Sequence, residues 1–74
     1  MAEKHQLDIK QQVGNLVRET RRAKGLTQEE LGERLGVSKA TINGYETGRQ
    51  NLTVVTLKKL AVALGEPLKI EISV

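Results

Sequence analysis

A chain of 74 residues with no cysteine, tryptophan or phenylalanine and a single tyrosine has no means to build a disulfide framework, a cysteine-rich metal site or an aromatic core. One domain is expected, with a Leu, Val, Ile and Ala core of a size that supplies only about 3–5 kcal/mol, so a second copy is expected to contribute. The formal charge of +3 suits a polyanionic partner, while no stretch approaches the ~20 apolar residues of a membrane span and MAEKHQLD is no signal peptide; a cytoplasmic protein with no membrane partner is expected.

Residues 1–7 read as a flexible tail, and His5 within it has no second ligand at metal-binding spacing, so no metal is expected. Asp8 is placed to cap a first helix running to about residue 24, with Gln11 at its third position. Its inward stripe is Ile9, Val13, Leu16, Val17, Thr20 and Arg21, repeating at helical period. Gly14 inside that helix costs about 1 kcal/mol of propensity, which predicts either close packing or a loosened first turn. Gly25 ends it.

Thr27 then supplies an N-cap, Glu30 completes a capping box, and Leu26 with Leu31 forms a hydrophobic staple. The second helix, about residues 28–35, turns Leu31 and Leu35 inward and Glu29, Glu30, Glu33 and Arg34 to solvent, and Gly32 lets the next helix cross closely. Gly36 stands where the chain must bend. Ser38 repeats the cap, with Val37 and Ile42 as staple, and opens a third helix over about residues 39–47 that buries Ile42 and Tyr45. Its opposite stripe, Lys39, Ala40, Asn43, Gly44 and Thr47, holds nothing that belongs in a core.

After a polar loop over residues 48–51, Leu52 and Thr53 restate the staple and cap with Leu57. A fourth helix over about residues 54–64 places Leu57, Leu60, Ala61 and Leu64 on one face, leaves Lys58 and Lys59 solvated, and stops at Gly65. Pro67 forbids continuation. Leu68, Ile70, Ile72 and Val74 then alternate with Lys69, Glu71 and Ser73, a half-buried strand pattern. No second strand is present to pair with it, so residues 68–74 are expected to form a dimerisation strand, joining the same strand of another copy. A disordered tail is the alternative the pattern leaves open.

The run VRETRRAKGLTQEELGERLGVSKATINGYETGR, residues 17–49, followed by TLKKLAVALG, residues 56–65, resembles the Xre/Cro-type helix-turn-helix DNA-binding proteins. Phage repressors and many bacterial regulators and antitoxins belong to that family. The resemblance covers about residues 13–65 and implies an all-α fold, a compact lambda-repressor-like bundle of four or five helices spanning residues 8–65, with the third as recognition helix. Residue by residue, it implies phosphate contact by Gln28 with help from Thr27. Ser38, Lys39, Ala40, Asn43 and Gly44 match positions facing base edges, and Thr41, Thr47 and Arg49 match positions near the sugar-phosphate backbone. Arg21 and Glu46 match a structural salt bridge. Lys39 has the chemistry to donate to guanine, Asn43 to pair with adenine, and Ala40 to touch a thymine methyl. Gly44 stands where relatives carry a long polar residue, which shifts weight toward DNA shape.

The function expected from this is sequence-specific transcriptional regulation: a homodimeric repressor on a pseudo-palindromic double-stranded operator, two recognition helices reaching major grooves about 34 Å apart. The C-terminal ribbon resembles that of HipB-like antitoxins, which makes an antitoxin with a toxin as second protein partner the favoured subtype. The competing reading is a protein–protein interaction module, or a coactivator-type bridge, without direct operator binding. No enzyme and no cofactor is expected, because the chain offers no histidine beyond His5, no cysteine and no phosphate loop.

Overall fold

A computed structural model describes residues 9–72. Within them the chain forms four helices, α1 Ile9–Ala23, α2 Gln28–Leu35, α3 Lys39–Glu46 and α4 Val54–Leu64. The expectations placed on the tail of residues 1–7, on His5, on the Asp8 cap, and on Ser73 and Val74 lie outside the described residues.

Three of these helices begin at a hydroxyl cap in extended backbone. The Thr27 hydroxyl accepts from the Glu30 N–H at 3.0 Å while the Glu30 carboxylate accepts from the Thr27 N–H at 2.8 Å, closing the capping box. Hydrogen bonding of the carboxylate to Thr27, by its backbone N–H first and its side chain second, holds the Glu30 carboxyl below its ordinary value of 4.5. Ser38 accepts from the Thr41 N–H at 3.1 Å and Thr53 from the Thr56 N–H at 3.0 Å. Between α2 and α3 the chain reverses at Gly36, φ 76°, a left-handed conformation that is cheap without a Cβ. The Val37 N–H then donates back to the Gly32 carbonyl at 2.9 Å.

The core is Val13, Val17, Leu31, Ile42, Leu60 and Leu64, with Leu26, Leu35, Val37, Tyr45, Leu52, Leu57, Ala63 and Leu68 packed around it. α3 sits between α1 and α2, and α4 closes the bundle mainly against α2. The inward stripe of α1 is narrower than its hydrophobic pattern: Val13, Gly14, Val17, Thr20 and Arg21 are buried, Leu16 is half-buried, and Ile9 is 42% exposed. Leu35 and Tyr45 likewise stop half-buried at the rim. Arg34, expected only to face solvent, donates to the Ala63 carbonyl at 2.8 Å and so helps finish α4.

Close packing, not a loosened turn, accounts for Gly14. A Cβ there would lie 2.5 Å from the Tyr45 carbonyl oxygen and 2.6 Å from that of Glu46, so α1 rests directly on the backbone ending α3. At Gly32 the close neighbour is the Val37 carbonyl, 2.6 Å from a Cβ, so the glycine makes room for the turn itself and not for a helix crossing.

The C-terminal strand is not formed. Past Gly65, described residues 67–72 have no regular secondary structure, although their apolar and polar residues alternate. A strand needs a backbone partner for its N–H and C=O groups, and the described chain supplies none. Leu68 packs on the core, while Ile70 and Ile72 are 36% and 73% exposed. With Ile9, Val13, Leu52 and Leu57 these isoleucines line an open apolar depression of about 340 Å³.

Candidate nucleic-acid interface

The Ser38 cap and the tight turn before it orient α3 so that its N-terminal end and one flank face away from the bundle. Ser38, Lys39 and Ala40 are exposed, Thr41 and Asn43 are half-buried on the same helix, and Thr47 just beyond it is half-buried too. The Ser38 and Thr41 hydroxyls lie 3.0 Å apart, sharing a hydrogen bond at the helix start. At the far end the helix stops at Glu46 instead of reaching Thr47, which is its C-cap. The Thr47 hydroxyl donates to the Asn43 carbonyl at 2.9 Å and accepts from Arg49 Nε at 3.1 Å. This holds the exposed Arg49 guanidinium at the negative end of α3, a favourable place for a cation.

Behind that face lies a buried polar network. Glu46 is fully buried, and its carboxylate accepts from Arg21 Nε at 2.6 Å and Arg21 Nη2 at 3.0 Å. The remaining Arg21 nitrogen, Nη1, donates to the Leu26 carbonyl at 2.8 Å, so α1, α3 and the turn before α2 are tied by one guanidinium. Gln28 extends the network outward: its amide nitrogen donates to Glu46 Oε1 at 3.0 Å and to Asn43 Oδ1 at 3.2 Å. No buried side-chain nitrogen or oxygen among the described residues is left without a partner.

The arrangement divides the expected site residues. Arg21 and Glu46 meet directly. Gln28 spends both amide hydrogens inside the chain, on Asn43 and Glu46, while Thr27 beside it is exposed. Asn43 has one acceptor lone pair engaged by Gln28, which leaves its amide nitrogen and its second lone pair to the outside. Gly44 is buried, covered by the side chain of Gln50 from the polar loop over residues 48–51. No spacing rule on α3 signals that cover, because Gln50 returns to the helix only through the turn at Gly48. Ile70 and Ile72 line the apolar depression, and Leu68 packs on the core.

Among the described residues no group of three or more His, Cys, Asp or Glu side chains could hold a metal, and no helix is long and apolar enough to cross a membrane.

Residues 17–70 match the sequence model of a family described as helix-turn-helix. Over 59 residues, 80% of this chain and 77% of the relative, the chain is 48% identical to an uncharacterized HTH-type transcriptional regulator, y4dJ, of Sinorhizobium fredii. It is 34% identical over 53 residues, 72% of this chain and 60% of the relative, to the antitoxin HipB of Escherichia coli. Among solved structures it resembles the restriction-modification controller protein C.AhdI of Aeromonas hydrophila, with a TM-score of 0.72 and 39% identity over 76% of this chain and 81% of that one.

Proposed function

The chain belongs to the helix-turn-helix family of DNA-binding transcriptional regulators, and from that premise we propose that it acts in the cytoplasm as a homodimeric repressor reading a pseudo-palindromic operator with α3. That family is one of regulators and not of enzymes. The observation that carries the reading is the braced α3: a helix with an exposed polar face, capped by Ser38 and fixed from behind by the Arg21–Glu46–Gln28 network. Such a face presents base-reading groups at low cost in lost freedom, because the network has already fixed the helix.

In this reading Ser38, Lys39, Ala40 and Asn43 face base edges, and Thr27, the start of α2 at Gln28, Thr41, Thr47 and Arg49 meet the phosphates. Gly44 lies on the same stripe and contributes room. Leu68, Ile70, Ile72 and Val74 belong to the dimer contact, the isoleucines joining Ile9, Leu52 and Leu57 in the face that a second copy covers. The named antitoxin among the relatives supports a toxin as second protein partner.

A gel-shift titration against the chain's own upstream DNA tests the function. A specific complex that weakens steeply with salt is expected, because each neutralised phosphate adds about 0.9 to the log–log salt slope. Lys39→Ala and Asn43→Ala should each cost about 5- to 150-fold on that DNA and much less on unrelated DNA. Absence of any salt-sensitive specific complex would leave the interaction-module alternative in possession.

A further inference from the structure

Gly44 leaves a vacant place on the outer stripe of α3, and another residue occupies it. Beyond Glu46 the chain turns through Gly48, φ 77°, and the N–H groups of Arg49 and Gln50 both donate to the Gly44 carbonyl, at 3.0 and 3.3 Å. That double contact draws residue 50 back beside the helix. A Cβ built on Gly44 would lie 2.8 Å from Gln50 Nε2, 3.0 Å from its Cγ and 3.1 Å from its Cδ. The Gln50 amide arm therefore runs through the space into which a side chain at residue 44 would project.

Three further facts bear on what the arm does there. Gly44 is buried while Gln50, its cover, is exposed, so the amide is the outer surface at this station. The station lies one helical turn beyond exposed Ala40 and next to Asn43, on the same flank of α3. The helical hydrogen bonds, the buried network and the Thr47–Arg49 contact engage their neighbours, whereas Gln50 joins its surroundings through backbone bonds, leaving an amide donor and acceptor to be presented together. Glycine in the middle of a helix is unfavourable. Here its benefit is the room it gives that arm, since any side chain at residue 44 would push the Gln50 amide aside.

We propose that Gln50 is a specificity-determining residue, whose amide takes the station Gly44 vacates and reads an adenine edge in each half-site. The inference rests on the DNA-reading function above. Glutamine pairs with adenine by accepting from N6 and donating to N7. The loop after α3 thus supplies a contact that the helix itself does not.

The test is selection of binding sites from a random duplex library, using the full chain and its variants, with circular dichroism melting to confirm that each is folded. The wild-type chain should enrich adenine at the half-site position that faces residue 50, beside the one that Asn43 reads. Gln50→Ala should flatten that position by about 5- to 150-fold in preference, the span for one bidentate base contact, while the other positions and affinity for mixed competitor DNA hold. Gln50→Glu should move the preference toward cytosine, whose N4 group donates to a carboxylate. Gly44→Ala should flatten the same position although Gln50 is chemically intact, because the new methyl displaces a flexible side-chain end. Combining Gly44→Gln with Gln50→Ala should restore an amide and the adenine preference. An unchanged profile in folded Gln50→Ala, or an equal loss at every position, would overturn the inference alone. A wild-type chain that enriches no sequence would overturn the DNA-reading function and this inference with it.

Discussion

The braced recognition unit and the C-terminal segment are built on opposite terms. In the first, residues 27–47, each helix carries its own cap, and the buried carboxylate of Glu46 is answered by Arg21 of α1. In the second, residues 66–72, an equally regular alternation of apolar and polar residues produces no regular structure and leaves Ile72 largely exposed. The difference shows what periodicity alone accomplishes. A helix satisfies its backbone within itself, so a pattern with caps suffices, but a strand satisfies its backbone only against a neighbour.

The largest effect is expected at the brace. Glu46→Ala leaves the Arg21 guanidinium buried without its carboxylate, a loss of about 3–5 kcal/mol, comparable with the whole stability of so small a domain. Urea denaturation should find it largely unfolded, and a melting curve close to wild type would show that the network is dispensable. Next comes Gly14→Ala, which sets a methyl against two backbone carbonyls that cannot swing aside as side chains do. A loss of about 1–3 kcal/mol is expected by the same denaturation.

The C-terminal segment should behave the other way. Ile72→Asp alters a side chain that is 73% exposed, so it should change the thermal midpoint of the isolated subunit little while shifting sedimentation from dimer to monomer. Retention of the dimer would place the contact between copies elsewhere on the surface. The smallest effect belongs to the α2 cap. Glu30 has its carboxyl pKa lowered in the fold, so its contribution is fully present above the ordinary value of 4.5 and is lost as pH falls through the lower folded value. Stability curves of wild type and Glu30→Gln should therefore converge at acid pH and separate slightly toward neutrality.

Much of the bundle was legible because its signals are local. Thr27 with Glu30, and Ser38 with Thr41, act across three residues, and the structure has those helices starting where the caps stand. The exposed station of Ser38, Lys39 and Ala40 follows from helical period once Ile42 is buried. Less legible was what the recognition unit does with Gln28. The family resemblance implies a phosphate contact for it, and the structure adds that its amide nitrogen bridges Asn43 and Glu46, residues 15 and 18 positions away.

Taken alone, then, the sequence determined the order of the described helices, the starting points of α2, α3 and α4, and the polar stripe on α3, since caps and 3.6-residue periodicity operate within a few residues of chain. Tertiary structure decided the rest. It chose close packing for Gly14, because α1 meets the carbonyls ending α3, and it laid Gln50 over Gly44, because two N–H groups beyond the turn converge on one carbonyl. It also withheld a strand from the last described residues. In each case the outcome turns on which backbone atoms lie within reach in three dimensions, and a pattern of residue types carries no record of that.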